Sequence, residues 1–234
     1  MSWIITGREA GPADPYIGNV SLLLHGDGAN GSTTIVDSSP SPKTVTAVGD
    51  AQISTAIADP FNNNTGVIAL DGTGDYLTVP IDTSFIFGTQ DFTVEGWVKI
   101  AQAKNTGLFQ IALNSYFFNS FSNSIGLFIG SAGEWGLYAR NIVSIDSSNP
   151  SSLNTWYYCA VVRHQTTTQL YIDGISRITV TSDSTNYTCN SLAIGGIFST
   201  SNLLNGYIDD FRITKGIARY TSNFTPPTAP FPDI

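Results

Sequence analysis

From Val20 onward the chain runs as short stretches of β-branched and aromatic residues, each broken by Gly, Asn, Asp or Pro after five to ten positions. The pattern predicts strands over 20–24, 33–37, 44–48, 67–71, 76–79, 91–100, 107–113, 125–130, 135–140, 156–163, 168–173, 175–181, 191–195 and 206–214. No window longer than one turn carries a helical period, apart from a turn at 216–220. Many short strands with frequent turn signals predict an all-β sandwich or barrel.

Three segments carry most of this reading. In Asp91–Ile100, Phe92, Val94, Val98 and Ile100 share one parity and are expected to face a core, while Thr93, Glu95, Trp97 and Lys99 take the other face. In Gln169–Thr181, two alternating runs flank Asp173-Gly174, a dipeptide that accepts φ > 0 and closes a type I′ hairpin. In Gly206–Thr214, strict alternation puts Asp209 in register with Phe211 and Ile213, an aspartate among core-type residues.

The first eighteen residues hold Gly-Pro and Asp-Pro but no periodic pattern, and they read as an arm. Residues 19–215 form the domain, and 216–234 a Pro-rich strap on it, held by Phe224 and Phe231. With 234 residues the chain can bury a full sandwich core without staples. Charged residues are 12% of the chain, about half the usual share, and Ser, Thr, Asn and Gly replace them. The net charge is −8 with the cations scattered singly, so nucleic acid is not an expected partner. No apolar run approaches the ~20 residues of a membrane span, so no membrane insertion is expected, and the start lacks the basic and apolar regions of a signal peptide. Cys159 and Cys189 are too few for a disulfide framework; they read as two buried thiols, with a single bridge as the alternative.

Several stretches resemble the concanavalin A-like, laminin-G-like jelly rolls. They are Leu22-Leu-Leu-His-Gly-Asp-Gly, Ala69-Leu-Asp-Gly-Thr-Gly-Asp-Tyr-Leu, Asp91-Phe-Thr-Val-Glu-Gly-Trp-Val-Lys, Leu170-Tyr-Ile-Asp-Gly and Gly206-Tyr-Ile-Asp-Asp-Phe-Arg-Ile, in that order. The ending, from Ile213-Thr-Lys-Gly-Ile-Ala-Arg-Tyr to Phe-Thr-Pro-Pro, is similar to versions of this domain in tailed-bacteriophage structural proteins. The resemblance implies a two-sheet antiparallel jelly-roll sandwich, use in glycan or protein binding, and often a structural calcium ion. It identifies a fold better than a ligand.

Glycoside hydrolysis, the chemistry found on this architecture, needs two carboxyl groups facing one sugar bond. The chain has three glutamates, Glu9, Glu95 and Glu134, and none has an acidic neighbour two or four residues away on one strand face. His25 and His164 are the only histidines; Cys159 and His164, five apart on one strand, face opposite sides. No catalytic residue is expected. Asp27, Asp71, Asp75 and Asp209, with Asp210 beside the last, are hard oxygen ligands of the kind calcium takes. Their alternative reading is carboxylates that accept backbone N–H groups at turns and at the closure of the sandwich. For a glycan, the candidates are the rings of Trp97, Trp135, Tyr138 and Tyr157, with Arg140 and Asn114, and also Glu95 and Arg163, as hydrogen-bonding partners. The alternative is that these rings pack between the sheets.

Together these readings predict a non-catalytic protein of a tailed-phage virion surface: a head decoration, a fibre or a tail-associated adhesin. Its expected partners are other virion subunits through the arm, a second copy of itself, and a host-surface glycan. A free-standing carbohydrate-binding protein is the alternative, and a glycan depolymerase the third.

Overall fold

The computed structural model describes residues 13–80, 82–102, 105–112, 123–188, 191–196 and 202–233, and in them fifteen strands. In chain order these are β1 (Val20–Leu24), β2 (Thr46–Val48), β3 (Gln52–Ser54), β4 (Val67–Asp71), β5 (Tyr76–Thr78), β6 (Phe92–Ile100), β7 (Thr106–Ala112) and β8 (Ile125–Ile129). They continue as β9 (Trp135–Ala139), β10 (Ile142–Asp146), β11 (Trp156–His164), β12 (Thr167–Ile172), β13 (Ile175–Val180), β14 (Ser191–Ile194) and β15 (Asn205–Lys215). One sheet has the order β13-β12-β11-β6-β15-β4-β3, with β1 also paired to β15; the other runs β10-β9-β8-β7-β14-β5-β2. The result is the predicted antiparallel jelly-roll sandwich.

Alternation on β6 sorts its side chains as expected. Phe92, Val94, Val98 and Ile100 enter the core between the sheets, where they meet Trp135 and Leu137 of β9 and Phe109 and Ile111 of β7. The middle of the opposite face of the larger sheet is covered as well. Tyr158, Ala160, Val162 and Tyr171 form a second apolar layer there, closed by Phe231 and bordered by Ile17, Trp97, Tyr220 and Phe224. The molecule is therefore three layers deep over this sheet: strap, sheet, sheet.

The β12–β13 turn has Asp173 at φ +50° and Gly174 at φ +76°, with Ile172 opposite Ile175, the geometry of the predicted two-residue hairpin. The strap docks on this turn. The Phe224 N–H donates to the Gly174 carbonyl at 2.9 Å, and the Ser176 N–H to Asn223 Oδ1 at 2.9 Å.

Four expectations are corrected. Residues 33–37 form no strand beyond one bridge between Leu24 and Asp37. The Asp37 carboxylate gathers the N–H groups of Leu23, Ser39 and Lys43, and this bends the segment into a loop. No helical turn forms at 216–220, because Gly216 and Arg219 donate their N–H groups to the start of β6, at the Asp91 carbonyl and Thr93 Oγ1. β3 and β10 carry no prediction; β3 is three residues long and β10 has an exposed face.

The fourth correction is Asp209. Along β15, Asp209 pairs with Trp97 and Arg212 pairs with Glu95, so Asp210 and Phe211 together oppose the single residue Gly96. This β-bulge, with Asp210 at φ +46°, inserts one residue and reverses the parity beyond it. Ile208, Phe211 and Ile213 enter the core, whereas Asp209 and Arg212 take the outer face with Trp97 and Glu95.

Gly174→Ala should destabilise the fold by at least about 2 kcal/mol, from the left-handed backbone and from a methyl set 1.9 Å from the Phe224 carbonyl oxygen. Urea denaturation measures the loss. Hydrogen exchange should show faster opening at 224–231, and an unchanged strap would mean that the turn does not anchor it.

Candidate functional site

The outer face of the larger sheet is where the fold concentrates charge. Glu95, which β6 directs outward, is 1% exposed and accepts from Arg212 Nε at 2.8 Å and from the Tyr158 hydroxyl. Arg219 Nε lies 3.5 Å from the same carboxylate. Asp14, upstream of β1, takes Arg212 Nη1 at 3.1 Å and Arg219 through Nη1 at 3.0 Å and Nη2 at 2.7 Å. Two carboxylates and two guanidiniums thus interlock across three parts of the chain. The Phe231 ring lies 3.6 Å from the Arg212 guanidinium carbon, as a lid.

Burial alone would raise the Asp14 carboxyl. Hydrogen bonds from Arg219 and the Tyr16 N–H, with the charges of both arginines, outweigh it and hold the group below the ordinary carboxylate range. Tyr158 is driven the other way, first by burial and then by the Glu95 charge, so its phenol stays protonated and donates. Glu95 is therefore buried and held by Arg212 and Tyr158.

His25 bridges the strap to the same face. Its Nδ1 lies 2.5 Å from Asp210 Oδ1 and its Nε2 2.6 Å from Asp233 Oδ1, and the Phe231 N–H donates to Asp210 Oδ2 at 2.7 Å. The sequence gives His25 no such role, because Asp233 is 208 residues away. His164 is exposed and reaches Asp91 at 3.1 Å.

The glycan candidates do not converge. Trp97 is on the outer face of the larger sheet, edge-on to Tyr158 at 5.3 Å and Phe61 at 5.9 Å. Trp135 lies in the core with Tyr157 packed against it at 5.3 Å. Tyr138 faces away from the core yet is buried, its phenol pushed up to about 12 by burial. Trp135 and Tyr138 are corrections, since a ring with no exposed face cannot stack on a sugar. Arg140 is exposed at the β9–β10 turn and bonds the Thr181 carbonyl. Arg163 is buried and binds the carbonyls of Gln165, Gly88, Thr185 and Asp183, which ties the 183–185 loop to β11. Asn114 and Cys189 lie outside the described residues; Cys159 is a buried thiol that burial pushes well up.

The metal candidates divide. Asp209 is fully buried; a methyl on Gly26, next to Asp27, would come within 3.0 Å of its Oδ1. Asp71 sits opposite Asn205, four residues along β15 from Asp209, roughly 13 Å away by strand rise. One ion cannot use both. Asp71 and Asp75 instead meet Asp50, which the sequence reading omits, and one oxygen from each lies within 4.8 Å of the others. That spread fits oxygens around one cation with bonds of ~2.4 Å. Asp75 accepts the Asp50 N–H at 2.8 Å and the Asp71 N–H at 3.0 Å, which leaves each oxygen one lone pair. Burial first, then the neighbouring Asp50 and Asp71 side chains, raise its carboxyl against those two bonds. The groove beside the three, about 240 Å³, adds Gln52, Asn205 and Tyr207. This donor set fits a hard cation.

The model of the concanavalin A-like lectin/glucanases superfamily matches residues 71–218. No curated protein matches in sequence. Among solved structures, the binding domain of Paraclostridial Mosquitocidal Protein 1 superposes with a TM-score of 0.62 at 17% identity, over 86% of this chain and 50% of that one. This chain thus spans about half of that binding domain. Domain 4 of AbnA, a GH43 extracellular arabinanase from Geobacillus stearothermophilus solved with arabinotriose, gives 0.59 at 18% identity over 86% of this chain and 95% of that one. A Trypanosoma rangeli sialidase gives 0.59 at 15% identity over 86% of this chain and 31% of that one. At identities this low the likeness shows the fold alone.

The depressed Asp14 carboxyl gives a pH signature. Its folded value lies below that of a free aspartate, so its stabilisation is full above about pH 4 and is lost as pH falls through the lower folded value. Denaturant melts between pH 2 and 6 should show that decline. Asp14→Asn should be less stable at pH 6 and flatter below pH 4; an equal slope in both proteins would remove Asp14 from the account.

Proposed function

The chain belongs to the concanavalin A-like lectin/glucanases superfamily, and on that premise we propose a non-catalytic, lectin-like recognition domain displayed on the surface of a tailed-phage virion. The observation that carries the non-catalytic reading is the state of Glu95. A glycosidase needs one carboxyl to give a proton and another free to attack or to activate water. Glu95 is buried, bonded to Arg212 and roofed by the strap. Glu134 is occupied with the Ala132 N–H in the β8–β9 turn, and Glu9 lies outside the described residues. Among the described residues Asp50, Asp71 and Asp75 bring carboxylates together for the depolymerase alternative, but there Asp75 holds two turns together with both its oxygens.

The recognition reading is supported by the shared fold with a domain solved in complex with arabinotriose and with the binding domain of a mosquitocidal protein. It is also supported by a surface rich in hydroxyl and amide groups on a chain that is only 12% charged. The virion setting rests on the similarity of the segment from Ile213 through the strap to phage structural domains. Docking to other virion subunits falls to residues 1–12, because Asp14 and Ile17 already belong to the packed outer face. One structural calcium ion at Asp50, Asp71 and Asp75 is part of the proposal.

Affinity electrophoresis in host-surface polysaccharide should retard the protein with no release of reducing ends. Removal of residues 1–12 should leave that retardation intact and abolish incorporation into particles. Reducing sugar that disappears in Asp71→Asn would establish the depolymerase instead, and normal incorporation of the truncated chain would remove the arm's role. For the ion, calcium should raise the melting temperature and chelator lower it, with Asp50→Asn insensitive to both. Indifference of the unaltered protein would eliminate the ion.

A further inference from the structure

Where β1 begins and β15 ends, a groove of about 500 Å³ is lined by Asn19, Ser21, Lys43, Ser84, Gln90 and Lys215, among others. It lies apart from the acidic groove of Asp50, Asp71 and Asp75. Cations are scarce in this chain, ten against eighteen anions, and Arg163, Arg212 and Arg219 are consumed by internal bonds. Two lysines on one groove is therefore a local concentration of positive charge on a protein of net charge −8.

Both ammonium groups are positioned. Lys215 Nζ donates to the Thr83 carbonyl at 2.7 Å, and Lys43 Nζ to the Ser41 carbonyl at 2.9 Å, with Lys43 5.4 Å from the centre of the Phe85 ring. Each bond uses one of three N–H donors and leaves two for a ligand. Among the described residues no carboxylate is within ion-pair distance of either ammonium. The anion whose field they share is Asp82. Its carboxyl lies below the ordinary range, first through the Ser84 hydroxyl and further through both lysine charges, against the effect of burial. Asp82 is committed to Ser84, whose N–H it accepts at 2.8 Å. Two ammoniums and one carboxylate leave the groove with one net positive charge, framed by hydroxyl and amide groups.

We propose that this groove binds a carboxylate-bearing sugar residue, with Lys43 and Lys215 on the carboxylate and Ser21, Ser84, Asn19 and Gln90 around the ring hydroxyls. The assignment rests on the lectin reading and specifies its ligand class. A single net positive charge matches one carboxylate per residue, while the negative charge of the rest of the molecule opposes a densely sulfated chain.

The test is isothermal titration of the full chain with an oligogalacturonate and with sialyllactose, each beside its methyl ester, which keeps the sugar and erases the charge. At least one acid should bind at least ten-fold more tightly than its ester, and added salt should narrow the gap. Lys43→Gln/Lys215→Gln, with its fold verified by thermal melting, should bind acid and ester alike. A persistent acid preference in the double variant overturns the assignment, as does equal binding of acid and ester by the unaltered chain or no binding of either acid. If one of those results overturns the groove, neutral polysaccharide that still retards both proteins leaves the lectin reading standing.

Discussion

The extra residue in β15 is the constraint on which the outer half of the molecule depends. Strict alternation would send Arg212 into the core and pair its strand out of step with β6. The bulge at Asp210 instead turns Phe211 and Ile213 inward and sets Arg212 opposite Glu95. It also marks where β15 changes partners, from β4 along Asn205–Ile208 to β1 along Phe211–Thr214. Asp210, the extra residue of the bulge, takes His25 and the Phe231 N–H. One inserted residue therefore creates both the buried ion network and the anchor for the strap.

A buried network of this kind is weak evidence for extra stability, because desolvating four charges costs about what their attraction returns. Its consequence is positional. Glu95 accepts from Arg212 and the Tyr158 hydroxyl with Arg219 3.5 Å away, and Asp14 holds both arginines. The segment before β1 and the strap after β15 must therefore close together over the sheet. A polar residue at 95 with an incomplete set of partners would be worse than an apolar one. The outer face of the larger sheet is thus filled by the chain itself, and the grooves lie at its rims and loops.

The sandwich was legible because its strands obey period two, and because Asp173-Gly174 has one favoured use. Nine residues of alternating character, as on β6, leave little choice of face. Asp209 shows where this fails: a bulge changes parity without changing composition, so nothing in Gly206–Thr214 announces it. The aromatic residues fail for another reason. Trp135 and Trp97 sit in similar strand contexts, yet one meets the second sheet and the other meets Phe61, a choice made by the whole topology. Asp50 was invisible as a partner of Asp75 because its turn lies twenty-five residues upstream, joined only by the pairing of β2 with β5. Asp71 and Asp75 were readable, since Asp-Gly-Thr-Gly-Asp is a turn on its face.

The low charge of the sequence acquires a meaning from where its charges lie. Asp37 and Asp59 gather backbone N–H groups in loops, and Asp183 takes the Thr168 and Tyr187 hydroxyls. Arg163 does the converse with four carbonyls. These charged side chains act as fixed hydrogen-bonding hubs for long loops that have no ladder of their own. Spending charges inside leaves an outer surface rich in hydroxyl and amide groups, on which long-range attraction is weak. On the proposed reading a polyhydroxylated ligand offers the matching chemistry, and the few cations that remain outside then count for more than their number implies.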